Sequence, residues 1–349
     1  MLSGDKPAQQ GFRGRMELRC IPVSEARDWY AALDGLQYAF GHCQEYCHAM
    51  EISSKMPVFL LSATDGDRKL ACPFSIRERR PGLSDLVSPY GFAGMISNFE
   101  VDQETTFFVE WFDFCRDRGF VTAYVMQHPS FPLTGPVWRE WKNDHHTLLL
   151  LDLALPEEQV WQHMHKTHRY EIRKQVKDAN VHMVTDVDRM KDAVKRLYKQ
   201  TLERVEAADV YRFPDNALDL IMNAPGGLLV GVEDQDGIQA VSLFLHTGGI
   251  AEYFLNASSD IGRMYSRTIL WSAIVQLQKL MVNSLNMGGG VKPGDSLEMF
   301  KRRFGARAMN GQVLKIIFDR EKYAWLCEQF GVQPDQRGFF PPYWAPGIR

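Results

Sequence analysis

Residues 227–256 read GLLVGVEDQDGIQAVSLFLHTGGIAEYFLN. Three runs rich in Val, Leu, Ile and Phe, at 227–233, 238–246 and 250–256, are separated by Asp236-Gly237 and Gly248-Gly249. Gly-bearing two-residue turns between apolar runs are hairpin signals, so the stretch predicts three successive antiparallel strands. Outward from it the period changes. Upstream lie a long helical pattern at 156–179, a strand at 181–186 and helices at 187–207 and about 214–223. Downstream come a helix at 266–283, a short strand at 285–287, a helix at 295–303, a strand at 313–318 and a last helix at 321–330.

The first half repeats this order. A strand at 16–23 precedes a helix that runs from Ser24 as N-cap to about residue 36, then a helix at 41–52. Strands at 57–63, 69–78 and 86–90 follow, the first two joined by the turn Thr64-Asp65-Gly66-Asp67. A helix at 103–118 is stopped by Gly119; then come a strand at 120–126, a short helix at 136–142 and a Leu-rich strand at 146–153. Both halves thus give β-α-α-β-β-β-α-β-α-β, with no residue-level identity between them, so the repeat is structural. That order is the one of the Gcn5-related N-acetyltransferase fold, an α/β (α+β) arrangement. Its mixed, mostly antiparallel sheet splays in the middle and carries helices on both faces. The expected architecture is two tandem acetyltransferase-like domains, at 16–154 and 155–330, with the main site in the second. The segment 331–349, which holds Phe339, Phe340, Tyr343 and Trp344, is too apolar for a free end and is expected to pack on a domain.

Of the 349 residues 45% are hydrophobic and 24% charged, which excludes a disordered or collagen-like chain. The net charge of −3 excludes a global positive field and argues against a DNA-binding coat, leaving only local basic patches. Cys20, Cys43, Cys47, Cys72, Cys115 and Cys327 are scattered, most of them in apolar or helical segments, as for free thiols in a reducing compartment. The polar start lacks a secretory h-region, and no apolar run approaches the roughly 18–20 residues of a membrane span. The expectation is a cytoplasmic protein with no transmembrane segment. His42-Cys43 and Cys47-His48 stand at helical i,i+4 spacing but lack a second ligand pair, so a packed helix is expected and no metal.

Two constellations bear chemistry. At 160–177 an apolar stripe of Trp161, Met164, Ile172, Val176 and Ala179 is expected on one helix face, with Lys166, Arg169, Tyr170, Arg173 and Lys177 on the other and few carboxylates to neutralise them. Guanidinium forks suit phosphate geometry, so this face points to an anion. At 285–305 a strand ends in Gly288-Gly289-Gly290, a helix starts at Asp295 or Ser296, and Lys301-Arg302-Arg303 close it. Glycines let backbone N–H groups approach a ligand, and a helix start favours an anion. Neither a Walker motif nor a dinucleotide fingerprint is present. Further candidates are Glu252 and Tyr253 on a strand where such folds place polar site residues, and Arg204 and Tyr211 in the helix–loop region that closes such sites.

Together the constellations resemble a family. Trp161 followed by Lys166-x-x-Arg169-x-x-Ile172-Arg173-Lys174, and Phe300-Lys301-Arg302-Arg303-Phe304-Gly305-Ala306 after a Gly-Gly pair, are similar to the FemAB/FemX peptide-bridge transferases and their FemAB-like relatives. Lesser matches are Tyr90-Gly91-Phe92-Ala93-Gly94 and Leu270-Trp271-x-x-Ile274. The resemblance implies a tandem acetyltransferase-like fold and N-acylation of an amine. It implies an aminoacyl-tRNA donor, a phosphate-linked peptidoglycan precursor as acceptor, and Lys301 on the acceptor phosphate. Two features depart from it. The stretch 203–214 is too short for a coiled-coil insertion. The loop 258–265, Ser-Ser-Asp-Ile-Gly-Arg-Met-Tyr, is not the [QR]xxGx[GA] pyrophosphate loop of coenzyme A users.

The reading is an N-acyltransferase. It moves an acyl or aminoacyl group from an activated ester, aminoacyl-tRNA or acyl-CoA, to an amine of a phosphate-linked cell-envelope precursor, a peptidoglycan peptide or an amino sugar. The acceptor is a small or lipid-linked molecule, charged tRNA is a candidate partner, and no tightly bound cofactor is expected. Glu252 and Asp295 are the candidate catalytic carboxylates. Lys301, Arg302, Lys166, Arg169, Arg173, Arg204, Tyr211, Tyr253, Gly288, Gly289 and Tyr90 are the candidate substrate-binding residues. The first half, where Gln127-His128-Pro129 replaces the glycines, is expected to brace the second and to supply Tyr90 as one wall. The alternative is a non-catalytic module that binds a sugar nucleotide or an acidic polymer.

Overall fold

The computed structural model describes residues 16–100, 107–134, 138–335 and 337–348. The first half contains β1 (Glu17–Pro22), α1 (Ala26–Leu33), α2 (Gln44–Ser54), β2 (Val58–Asp65), β3 (Arg68–Arg80), β4 (Leu83–Val87), β5 (Ile96–Ser97), α3 (Phe107–Asp117), β6 (Phe120–Gln127) and β7 (Lys142–Asp152). Two helices, α4 (Glu157–His163) and α5 (Lys166–Val176), lead into the second half. That half contains β8 (His182–Val184), α6 (Val187–Arg204), α7 (Asp215–Asn223), β9 (Gly227–Asp234), β10 (Gly237–Thr247), β11 (Ile250–Ser258), α8 (Ser266–Lys279), β12 (Ser284–Asn286), α9 (Ser296–Arg302) and β13 (Arg307–Ile317). Then comes α10 (Arg320–Gln329).

The three strands read from 227–256 form β9, β10 and β11, antiparallel throughout. The strands of the described residues join one sheet in the order β1-β2-β3-β4-β6-β13-β7-β12-β11-β10-β9-β8, with β5 beside β3. Each half builds the same series, and the two exchange their last strands. β13 pairs with β6 of the first half, while β7 pairs with β12 of the second. β7 and β13 also pair with each other and close the sheet at its centre. Parallel pairing occurs between β4 and β6 and between β11 and β12, each joined by a crossover helix, α3 and α8. Leu148–Leu151 fit this central position, since a strand covered on both faces needs no polar alternation.

Apolar clusters cover both faces. In the second half α8 and α5 lie over one face with Leu149, Ala251, Phe244 and Leu285, and α6, α7 and α2 over the other with Leu243, Leu245 and Leu255. In the first half α3 packs on Leu86, Ala123 and Val125, and α10 packs with Val121, Phe340 and Tyr343 on the opposite face. At 25–30 cal/mol per Å², burial on this scale dominates the favourable side of folding.

Several local expectations change. The helix expected at 156–179 is two helices: Met164 and His165 are extended because the His165 N–H reaches the Arg303 carbonyl at 2.8 Å. The apolar stripe therefore stops early; Met164 and Ile172 are buried, whereas Val176 and Ala179 are exposed. Ser24 does not cap α1. The Glu25 N–H closes a turn onto the Pro22 carbonyl, which leaves Glu25 at the cap position without a side-chain bond. The expected helix at 103–118 begins outside the described residues and is helical from Phe107. That at 136–142 also begins outside them, and its described part is a single turn running into β7.

The segment 337–348 folds back across the first half, with Phe340 and Tyr343 buried. Tyr343 Oη and Trp344 Nε1 donate to the two oxygens of Asp85 at 2.9 and 2.7 Å, and Thr122 Oγ1 donates to Asp85 Oδ1 at 2.6 Å. The Arg77 guanidinium lies 4.7 Å from the centre of the Trp344 ring. Burial, offset by these bonds, raises the Asp85 pKa above the usual carboxylate range.

Candidate active site

The parallel pair β11–β12 ends at Glu252 opposite Asn286. Strand alternation turns both side chains away from Ala251 and Leu285, hence away from α8 and toward the α2–α6–α7 side. Glu252 Oε2 accepts from Asn286 Nδ2 at 2.9 Å, and Oε1 is hydrogen-bonded to His128 Nε2. The Ser130 N–H donates to His128 Nδ1 at 3.0 Å, so the proton sits on Nε2 and is donated to Glu252. His128 is fully buried; the Glu252 side chain keeps 14% of its surface exposed. A carboxylate is thus held by two donors with one edge left open.

The glycine turn continues this chain. Asn286 Oδ1 accepts from the Gly288 N–H at 2.9 Å, and the Gly289 carbonyl accepts from Lys301 Nζ at 2.6 Å. Gly288 has φ +66°, and a Cβ on Gly289 would stand 2.5 Å from the Thr147 carbonyl oxygen, so the turn requires both glycines. Lys301 is 8% exposed, and burial lowers its pKa to about 8.

An aromatic wall stands on the same side of the sheet. Tyr46 Oη donates to the Tyr90 carbonyl at 2.7 Å, and the Tyr46 ring meets Phe254 edge-on at 5.8 Å. Tyr90 packs on Tyr211 and Phe213, and Phe213 on Phe254. Burial first, then the neighbours Tyr90, Cys47 and Glu252, push the Tyr46 phenol well above its ordinary range. Beyond this wall a cavity of about 190 Å³ lies between α6 and α7, but its Lys195 and Lys199 are paired with Asp219 and Asp215.

Of the residues singled out in the sequence, Glu252, Gly288, Gly289 and Lys301 are joined in one hydrogen-bonded chain, and Tyr90 and Tyr211 share the wall beside it. The others lie apart. Asp295 caps α9: Oδ1 accepts from the Glu298 N–H, and Oδ2 from those of Val291 and Lys292. These backbone bonds lower its pKa, and its lone pairs have little left for proton transfer. Arg302 is held by Glu298 at 2.7 Å. Arg204 braces the end of β11 through Ser258 and Asp260. Tyr253 turns to the face opposite Glu252 and stacks on Phe244.

Lys166, Arg169 and Arg173 form a separate basic face on α5. Arg173 sits 5.2 Å from the Trp161 ring, and Arg169 donates to Gln162. The two constellations nevertheless touch. His168 Nε2 meets the Phe300 carbonyl at 3.1 Å while Arg267 Nε donates to His168 Nδ1, which locks α5, α8 and α9 together. Burial lowers the His168 pKa to about 4.

Reading the sequence alone misses His128 and gives Gln127–Pro129 no part in the site. Nothing local marks the histidine; its partner is 124 residues away. His42, Cys43 and Cys47 pack inside, His42 against the Ala39 and Gly94 carbonyls and Cys47 against the Gly41 carbonyl. Among the described residues no group of three His, Cys, Asp or Glu is arranged to hold a metal ion. Nor, among them, is any helix long and apolar enough to cross a membrane.

Two acetyltransferase-like halves that exchange their last strands and carry a polar couple at the end of a parallel strand pair define the class: a tandem acetyltransferase-like fold. No protein-family model matches the sequence, and no curated protein is a significant sequence match. Among solved structures the fold is shared with FemX, at TM-score 0.64 and 9% identity over 88% of this chain and 99% of that one. It is shared with the C-terminal domain of a putative lysylphosphatidylglycerol synthetase from Agrobacterium fabrum, at TM-score 0.55 and 14% identity over 91% and 98%. L-PGS from Bacillus licheniformis is a third, at TM-score 0.54 and 10% identity over 84% and 92%.

Proposed function

We propose that the chain is an N-acyltransferase whose proton acceptor is Glu252. The observation that carries the reading is the placement of Glu252, largely enclosed and held by His128 and Asn286, at the end of the parallel strand pair. Two residues on, the β10–β11 register slips and leaves Phe254 as an extra, unpaired residue. An amine nitrogen attacks the acyl carbonyl, the C–N bond forms, and negative charge moves to the carbonyl oxygen. A backbone N–H at the bulge is the donor suited to that oxygen. Glu252 takes a proton from the new ammonium. Collapse breaks the C–O or C–S bond, and the leaving group receives the proton. No covalent enzyme intermediate is needed, because alignment of two bound reactants supplies much of the rate.

The acceptor is an amine on a phosphate-linked envelope precursor, peptide or amino sugar, and the donor an aminoacyl-tRNA or acyl-CoA. The resemblance of 300–306 to the FemAB-like transferases and the fold shared with FemX and a lysylphosphatidylglycerol synthetase domain support this. The exposed cations of α5 and Lys301 at the glycine turn are the groups suited to the phosphates. The test is mass spectrometry of candidate amines incubated with charged tRNA or with acyl-CoA. A mass increment that depends on Glu252 identifies the acyl group. Binding of a sugar nucleotide with no increment on any amine would replace this reading with that of a binding module.

A further inference from the structure

The carboxylate–donor couple of the site occurs twice among the described residues. Glu252 is the third residue of β11 and lies opposite Asn286, the third of β12. Asp85 is the third residue of β4 and lies opposite Thr122, the third of β6. Both pairs belong to the parallel pairing of their half. Both carboxylates face away from the crossover helix, since the adjoining Ala251 and Leu285 pack under α8, and Leu86 and Ala123 under α3. In both, the facing residue donates to the carboxylate, Asn286 at 2.9 Å and Thr122 at 2.6 Å. The correspondence ends at the remaining lone pairs. Tyr343 and Trp344 fill those of Asp85, which is fully buried, whereas Glu252 has His128 and an open edge.

An amide in one half and a hydroxyl in the other do the same thing at the same place, so the facing position has a task independent of residue type. We infer that Asn286 is a positioning residue that fixes the Glu252 carboxylate, keeping Oε1 on His128 and the other edge toward the acyl group. Asn286 is itself held by the Gly288 N–H, and the adjoining Gly289 carbonyl is held by Lys301. Lys301 thereby acts on Glu252 through the glycine turn. This role rests on Glu252 being the proton acceptor.

The test needs no identified substrate for its first readout. Proton NMR of the native chain should show the His128 Nε2–H as a downfield resonance protected from solvent, and Glu252→Ala should abolish it. Asn286→Ala, and the isosteric Asn286→Asp should the first fail to fold, are expected to speed its exchange at least tenfold, with the fold retained and, in the alanine variant, the melting temperature lowered by the lost bond to the Gly288 N–H. Thr122→Val, in the other half, should leave the resonance as it is. An unchanged exchange rate in a folded Asn286 variant overturns the inference and leaves the role of Glu252 standing. The second readout is acyl transfer from charged tRNA or acyl-CoA to the amine found by mass spectrometry. Glu252→Gln with full transfer overturns the functional reading itself, whereas an inactive Glu252→Gln together with at least tenfold slower transfer by the Asn286 variant supports both.

Discussion

Lys301→Met should gain stability relative to the native chain near neutral pH and lose that advantage as the solution is made alkaline. Lys301 is buried, its ammonium bonded to the Gly289 carbonyl, and burial lowers its pKa from 10.5 to about 8. The sign follows from linkage. Because the folded-state value is the lower one, the stability the chain has with Lys301 neutral, above the unfolded-state value, is lost as pH falls through about 8. A difference of roughly 2.5 between the two states, at ~1.4 kcal/mol per pH unit, amounts to about 3 kcal/mol. Met fills similar volume and cannot ionise. It also leaves the Gly289 carbonyl unpaired, a cost of about 1–3 kcal/mol that does not depend on pH. The stability of the variant relative to the native chain should therefore fall by about 3 kcal/mol between roughly pH 7 and pH 10.5. Urea unfolding of both proteins at the two pH values measures it, and other titrating groups cancel in the difference. Parallel stability curves would refute the burial of the ammonium on which the reasoning depends.

Glu252→Gln should keep the fold and lower acyl transfer by about 10²–10⁴-fold, the usual contribution of a positioned proton acceptor; circular dichroism and mass-spectrometric transfer measured on one preparation check both halves of the statement. Tyr343→Phe removes a hydrogen bond to the buried Asp85 and should cost about 1–3 kcal/mol in urea unfolding, since it leaves a buried acceptor short of a donor. A variant as stable as the native chain would show that Asp85 is satisfied without the Tyr343 hydroxyl. Gly289→Ala places a Cβ against the Thr147 carbonyl and should lower stability by at least about 2 kcal/mol, because the obstacle is backbone. Thermal unfolding with no change in midpoint would show that the turn has room to move.

What is legible in the sequence is local. Strands β9 to β11 announce themselves because Gly-bearing turns and apolar runs alternate within 30 residues. The repeat of element order, and with it the fold, follows from such signals added along the chain. The break at Met164 and His165 is not legible, because its cause is a carbonyl at Arg303, contributed by a helix far along the chain. The exchange of β7 and β13 is equally hidden, since two apolar strands carry no mark of which neighbour each will take. Glu252 stands out from its strand position, but His128 does not, because a long-range pair leaves no spacing to read. Asp295 reads as chemistry although Asp295-Ser296-Leu297-Glu298, just before a helix, has the pattern of a cap. Capping and catalysis ask for the same side chain, and only the occupied lone pairs tell them apart.

The exchanged strands set the order in which the protein can be made. As the chain leaves the ribosome, β6 has an open edge until β13 arrives, and Asp85 has neither Tyr343 nor Trp344 until those two residues are synthesised. An open strand edge beside an under-paired buried carboxylate is a template for misassociation, so the nascent first half is the segment that most needs a chaperone. A stop codon between Phe330 and Tyr343 would strike the amino-terminal half while leaving the β8–β12 series untouched. An affinity tag belongs ahead of β1 for the same reason: one attached close behind Trp344 would load the segment that seals Asp85.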